Sequence, residues 1–525
     1  MRLTHNWQKD INNSVMKKWM GIIIVLLCVN VSIAQKKELV PIIIIMADQL
    51  RTDALGELTP NINALKKDAV SFTRAYCATP LCAPSRSSFF TGLYPNKTGS
   101  MINPFEKDDE IFGNTRAGLP NMYRLMEGQW DSYHVGKQHF FTEEKMDKDP
   151  NSKTRWITQE DYTEWMKAQK KSKPGGKQYK DNAPELVSGT HTQLRSYSIP
   201  AFGLYKEGID FFLDHYIAIE SIKAIRGRDK SKPLLLNAMF LAPHPPFSIP
   251  EPYFSMVGTK DFTLPENVGQ WYSGQSPLQM YNLTGFIGSR YNREQWRDIW
   301  AKYLGLVKLL DDEVGRVIQV LKEEGLYDKS LIIFTADHGE MLGSHSLWQK
   351  MCMYEESAKV PLILKLPKDR RPPVVSESDA LVSLVDVLPT ILELNGMPGA
   401  QKMDGLSLLP ILQGKTPNRK SIFIQYDGNG SLGSAQRCIV KGNYKLIVDM
   451  FQNEKYVELY DVSKDPKETV NLMFDQKFSP IAGELIAELA AYMKNSGDRL
   501  SIPNGLLEQF VKTYKNGIQK SDKSQ

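Results

Sequence analysis

Three stretches of the chain are almost continuously apolar instead of alternating. They are Val40 to Ala47 (VPIIIIMA), Leu234 to Ala242 (LLLNAMFLA) and Leu331 to Ala336 (LIIFTA). Strands buried on both faces of a parallel sheet have this pattern. A shorter strand is predicted over Ser132 to Val135. Helical spacing lies between them. From Trp296 to Glu324, Leu304, Val307, Leu310, Val314, Val317 and Leu321 share one face, and a second helix is predicted over Asp379 to Leu394. Strands alternating with helices predict an α/β fold, a large mostly parallel or mixed sheet flanked by helices on both faces. After about Gly414 the period shortens. Ser421 to Tyr426, Ala435 to Lys441, Tyr444 to Asp449 and Val457 to Asp461 read as antiparallel strands, with a hairpin turn at Lys441-Gly442-Asn443-Tyr444 and a helix from about Pro480 to Asn495. The predicted organisation is a large domain over 36–414, a smaller C-terminal α+β domain over 415–515 and a disordered polar tail over 516–525. Residues 143–185, rich in Lys, Asp, Gln and Gly, read as an excursion, either a surface lobe or a substrate-facing loop.

Residues 1–34 read as an export signal. Lys17 and Lys18 precede an apolar run from Met20 to about Ile33, and Ser32-Ile33-Ala34 offers small residues for cleavage near Ala34. The run is short for a membrane span, so the expectation is a periplasmic or secreted protein with no stable span in its mature form. Of 65 basic and 60 acidic residues, this segment holds Arg2, Lys9, Lys17, Lys18 and Asp10; the remainder carries 61 against 59, a net +2. That near-neutral body argues against nucleic-acid binding but permits a locally positive pocket. No CxxC pair occurs, which argues against a zinc ribbon or thioredoxin-like motif, while a disulfide among Cys77, Cys352 and Cys438 stays open.

Ligands of open α/β sheets bind beyond the carboxyl ends of the strands. Asp48 and Gln49 follow the first predicted strand, Asp337 and His338 another, His244 a third, and Lys137 and His139 the short one. Singly, each reads as well as a helix cap, turn former or packed histidine. Together they bring charged and metal-binding groups to one rim. The sharpest signal is Cys82-Ala83-Pro84-Ser85-Arg86, followed by Thr91-Gly92, about 34 residues after Asp48.

This run resembles the C-x-P-S-R signature of type I sulfatases, the formylglycine-dependent family of the alkaline-phosphatase-like superfamily. The resemblance covers nearly all of the chain beyond the signal. It includes Ala47-Asp48-Gln49-Leu50-Arg51, Thr59-Pro60-Asn61-Ile62, Gly136-Lys137-Gln138-His139, Pro243-His244-Pro245-Pro246-Phe247, Thr335-Ala336-Asp337-His338-Gly339-Glu340, Lys350 ahead of Tyr354-Glu355-Glu356, and Tyr444-Lys445-Leu446-Ile447 with Glu458-Leu459-Tyr460-Asp461. It implies that a maturing enzyme oxidises Cys82 to formylglycine, whose hydrate attacks sulfur through one hydroxyl and expels sulfate through the other. It further implies a calcium ion held by Asp48, Gln49, Asp337, His338 and the oxygen at position 82. Arg86 is then expected to hold the hydrate, Lys137 and Lys350 to clamp sulfate oxygens, His139 to act as base, and His244 with Lys350 to protonate the leaving alcohol. Two departures bear on the metal: Gln49 stands where many members carry Asp, and His338 where many carry Asn. Histidine is a soft choice for calcium.

The expected activity is hydrolysis of sulfate monoesters on a carbohydrate, a glycosaminoglycan or algal polysaccharide fragment. A phosphonate or phosphate monoester hydrolase of the same superfamily is one alternative, and an inactive binder of sulfated glycans another. Among the aromatic residues, Trp348, two positions before Lys350, is the candidate platform for a sugar ring. His134 and His345 are left as structural or substrate-side residues.

Overall fold

A computed structural model describes residues 38–105, 110–187, 191–371, 376–415 and 419–521. The predicted signal segment and the end of the predicted tail lie outside these residues. The apolar runs form the centre of an eight-stranded sheet: β1 (Ile42–Asp48), β2 (Val70–Tyr76), β3 (Asp131–Gly136), β4 (Thr154–Thr158), β8 (Leu234–Pro243), β10 (Leu331–Ala336), β11 (Leu362–Lys365) and β12 (Glu377–Ser383). Their order is β12-β2-β11-β10-β1-β8-β3-β4. All neighbours run parallel except β11, which is antiparallel to both β10 and β2. Ile42 to Ala47 are fully buried, as a central strand covered on both faces requires. The long helix Arg293–Glu323 starts at an Asn292/Gln295 capping box and lays its apolar face over the sheet.

A second, four-stranded antiparallel sheet is built from β13 (Ser421–Tyr426), β14 (Ala435–Lys441), β15 (Tyr444–Phe451) and β16 (Glu454–Asp461), in that order. The helix Ser479–Ser496 packs on it, through Leu485, Leu489 and Met493. Two small pairs complete the strands: the antiparallel hairpin of β5 (Lys180–Val187) and β6 (His191–Ser198), and the parallel pair of β7 (Phe202–Leu204) and β9 (Phe247–Ile249). The described residues from Val40 onward form one compact unit. Among them no helix is long and apolar enough to cross a membrane.

Several expectations are corrected. The helix expected over residues 379–394 is a strand to Ser383, and helix proper begins only at Val387. Its first apolar residues, Ala380 to Val382, fit either period, and pairing with β2 decides. The 143–185 stretch is no free excursion. Thr154–Thr158 is an edge strand of the main sheet, and Gln159–Ala168 is a helix with a Thr158/Asp161 capping box. That helix buries only Tyr162 and Met166, so its polar surface hid it. The tail expected from residue 516 is instead the last part of the helix Leu506–Ser521. Cys77, Cys82, Cys352 and Cys438 are all buried free thiols.

A buried cation ties the small sheet to the segment that connects β10 and β11 of the large one. Lys445 Nζ on β15 is 3.0 Å from Glu355 and 3.0 Å from Glu468, with no exposure of the lysine. Removing it strands two carboxylates in the interior. Lys445→Ala is expected to lower unfolding stability by about 3–5 kcal/mol in urea denaturation. A loss below about 1 kcal/mol, the range of a surface pair, would show that Lys445 does not hold the small sheet to that segment.

Candidate active site

Three segments meet beyond the carboxyl ends of β1 and β10. Asp48 ends β1 and Asp337 follows β10, its neighbour in the sheet. The helix Cys82–Thr91 places its first residue against them. All ten of its residues are buried, and it stops at Gly92, whose φ of 69° is the left-handed cap that glycine adopts freely. Asn103 Oδ1 accepts the Ala83 N–H at 3.0 Å, and Ser85 Oγ donates to the Asp337 carbonyl at 2.6 Å. Arg86, one turn along, joins the two carboxylates: Nη2 lies 3.0 Å from Asp48 Oδ2 and Nε 2.9 Å from Asp337 Oδ2.

Around Cys82 the donors converge. One ligand atom from each of Asp48, Cys82, Asp337 and His338 lies within 4.8 Å of the others. His338 Nδ1 contacts the Gly339 carbonyl at 2.9 Å, which makes Nδ1 the donor, and Nε2 faces Cys82 Sγ at 3.1 Å. Gln49 adopts φ 66°, rare for a residue with a Cβ. Its N–H donates to Asp337 Oδ1 at 3.2 Å, its side-chain N–H to Glu340, and its Oε1 accepts from Lys350 Nζ at 2.6 Å. The two carboxylates are hard donors, and a divalent cation among the clustered atoms of Asp48, Cys82, Asp337 and His338 relieves the repulsion between Asp48 and Asp337. These residues therefore fit a metal ion.

The cationic side of the site comes from two other segments. Lys137 follows β3, where Gly136 has φ 106° and a Cβ would meet the Met239 carbonyl at 2.2 Å. Its Nζ reaches Asp48 Oδ2 at 2.5 Å and Cys82 Sγ at 3.7 Å. Lys350 Nζ also lies 3.4 Å from His244 Nε2, which in turn is 3.9 Å from Asp48 Oδ1. His139 Nδ1 is buried with no partner among the described residues.

Charge and burial set the protonation states. Burial and the Cys82 sulfur push Asp48 up, but Lys137, His244 and Arg86 together hold it well below the usual carboxylate range. Asp337 moves the other way, raised by burial and by Asp48. Burial opposes ionisation of Cys82, yet Lys137, Lys350 and His338 bring its thiol well below the ordinary value. Burial and then Lys137 lower His139 to about 4, and burial with Lys137 and Lys350 also lowers His244. His338 is raised, because Asp337 and Cys82 outweigh its burial.

All ten residues named from the sequence thus lie in this one region. Trp348 does not serve the role expected of it. It is fully buried, donates to the Ser198 carbonyl at 2.8 Å and packs on Phe247 and Trp296, so no sugar ring reaches it. His134 is structural: it bonds Tyr123 Oη at 2.6 Å, and burial lowers it to about 3. His345 stacks on Tyr354 with ring centroids 4.0 Å apart. Two residues escaped the sequence reading. Glu340, two positions after His338, orients the Gln49 amide, and its presence in the same short segment was the available signal. Asp214 accepts the Leu241 and Ala242 N–H groups at 2.7 and 2.8 Å, just before His244, and nothing in the sequence marks it.

Comparison with known proteins agrees with this geometry. The family model Sulfatase matches residues 41–397, and a model described as N-sulphoglucosamine sulphohydrolase, C-terminal, matches 343–495. An arylsulfatase of Clostridium perfringens is 26% identical over 506 residues, covering 90% of this chain and 99% of its own. An N-acetylglucosamine-6-O-sulfatase of Bacteroides thetaiotaomicron is 24% identical, covering 87% of each chain. In fold, the chain is similar to the phosphonate monoester hydrolase of Agrobacterium radiobacter, with a TM-score of 0.68, 23% identity, and coverage of 87% and 96%. With the first model spanning well over half of its length, and the rim of the sheet built as described, this chain belongs to the sulfatase family.

Proposed function

We propose that the chain is an exported enzyme hydrolysing sulfate monoesters of a carbohydrate, with a formylglycine made from Cys82 by a maturing enzyme and a calcium ion held by Asp48, Gln49, Asp337, His338 and position 82. The observation that carries this reading is the convergence of Cys82 with two carboxylates, His338 and Lys137 in one buried cluster. Bound calcium supplies Lewis-acid polarisation of the ester oxygens. An aldehyde hydrate at position 82 supplies an oxygen nucleophile where the thiol now stands.

The chain's own groups divide the remaining work. Arg86 keeps both carboxylates in register, since its Nε and Nη2 are engaged by Asp337 and Asp48. Lys137 and Lys350 approach from two sides and would hold sulfate oxygens as fixed cations in a dry site. His139, neutral above about pH 4, is free to accept a proton. His244 beside Lys350 is a stronger acid than an ordinary histidine and would protonate the departing alcohol oxygen. A cleft of about 610 Å³ beside Gln138 and Phe141, which flank His139, is of the size that small-molecule ligands occupy. The N-acetylglucosamine-6-O-sulfatase relative favours a sugar over a simple aryl ester. The predicted export signal favours a periplasmic or secreted site of action.

Paired sulfate and phosphate esters of one alcohol test the reaction directly, and sulfate is expected to be preferred. A preference for phosphate or phosphonate would establish instead the chemistry of the fold neighbour from Agrobacterium. Cys82→Ala should lower kcat on the order of 10⁴-fold or more. Mass spectrometry of the peptide bearing position 82, from a host with the maturing enzyme, should show the thiol replaced by an aldehyde.

Chelation should abolish turnover and added calcium restore it; full activity in chelator would remove the metal from the scheme. The free-enzyme profile of kcat/KM is expected to be bell-shaped, falling towards pH 4 as His139 gains its proton and falling again as pH rises through the depressed histidine range, where His244 loses the proton it must deliver. An acid limb at an ordinary histidine value, unmoved in His139→Ala, would assign the base elsewhere.

A further inference from the structure

If His244 protonates the departing oxygen, the alcohol must lie against that imidazole, and His244 forms part of the wall of a separate cavity. The cavity measures about 160 Å³, far more than a single water needs. Its walls are largely apolar, with Leu213, Leu241 and Leu306 among them, as the faces of a sugar ring favour. Three polar groups meet there. Asp214, 1% exposed, uses Oδ1 for the Leu241 and Ala242 amides, while its Oδ2 is buried and has no partner among the described residues. Gln159 lines this cavity and also the larger cleft beside Gln138 and Phe141. Lys173 Nζ donates to Thr163 Oγ1 at 3.2 Å and pairs with no described carboxylate.

A buried carboxyl oxygen with no partner costs free energy unless something supplies one. A sugar hydroxyl does so in either protonation state of the acid, because it both donates and accepts. An ammonium without a counter-ion at the same cavity adds a preference for a second negative charge. The geometry points to this cavity as the pocket for the alcohol part of the substrate, with Asp214 binding a ring hydroxyl and Lys173 with Gln159 binding a second anionic group. The inference rests on the proposed sulfatase reaction. It narrows the substrate class to saccharides that carry a carboxylate or a further sulfate besides the ester that is cleaved.

The test uses the mature, calcium-loaded enzyme and three kinds of probe. One is 4-methylumbelliferyl sulfate, with neither ring hydroxyl nor second charge. The second is a set of singly sulfated neutral saccharides. The third carries the same ester with either a uronate carboxylate or an additional sulfate, so the two sources of charge are read separately. Wild type is expected to favour at least one doubly anionic form over the neutral saccharide. Lys173→Ala, on an exposed side chain, should lower that preference about tenfold, mainly through KM. Asp214→Asn, which keeps an oxygen for the two backbone amides, should raise KM for saccharides more than for the aryl ester. An enzyme that cleaves the aryl sulfate but shows no preference for a second charge overturns this inference and leaves the sulfatase reading standing. So does a Lys173→Ala loss that is equal on all three probes. Failure to cleave any sulfate ester overturns both.

Discussion

The double ion pair of Arg86 with Asp48 and Asp337 is the constraint on which the rest of the site depends. Three charged groups are held at the ends of two adjacent parallel strands with almost no exposure. Burying them is costly, and each is tolerable only because the others are there. The guanidinium is planar and has donors along two edges, so it engages the two carboxylates from fixed directions, which the single ammonium of a lysine does not impose. Because Arg86 sits one turn from Cys82 on the same buried helix, satisfying the charges also fixes position 82. The sheet, the helix and the reacting position are therefore set by one contact.

The four-stranded sheet contributes to the site at a distance. Lys445 on β15 binds Glu355, Tyr354 Oη donates to Glu458 at 2.6 Å on β16, and His345 contacts the Lys467 carbonyl at 2.9 Å. These contacts grip the chain on either side of Lys350. In the proposed function Lys350 holds a sulfate oxygen, and such a lysine needs a backbone that does not drift, since a small misplacement costs rate steeply. The small sheet supplies that stiffness without placing a residue of its own among the reacting groups.

How much of this was legible depended on the kind of signal. Buried central strands announce themselves, so Ile42 to Ala47, Leu234 to Ala242 and Leu331 to Ala336 could be placed, and with them the strand-end groups Asp48, Asp337 and His244. Edge strands did not. Thr154–Thr158 and Glu377–Ser383 each bury only part of their length, and their pairing is settled by neighbours far away in sequence. The antiparallel insertion of β11 between β10 and β2 was equally invisible, because register is a tertiary fact. Within the site, groups lying in a recognisable short segment were found. Asp214, which acts on the backbone before His244 from a helix start, carries no local mark.

Trp348 shows why proximity in sequence to a candidate site lysine was a poor guide. Between 342 and 351 the chain holds Leu342, His345, Ser346, Gln349 and Met351 at positive φ, each a conformation that side-chain-bearing residues disfavour by about 1–3 kcal/mol. Such a path persists only where its surroundings over-determine it. Glu340 accepts the N–H groups of Leu342 and Gln349, the Trp348 N–H donates to the Thr284 carbonyl, and the Met351 N–H donates to the Pro80 carbonyl, two residues before the helix that begins at Cys82. The buried indole packs on Phe247 and Trp296 and anchors the turn to the Ser198 carbonyl. A large aromatic there is what it takes to hold a strained loop still, and that use excludes the other: a ring buried to stabilise the lysine's approach has no face left to offer a substrate.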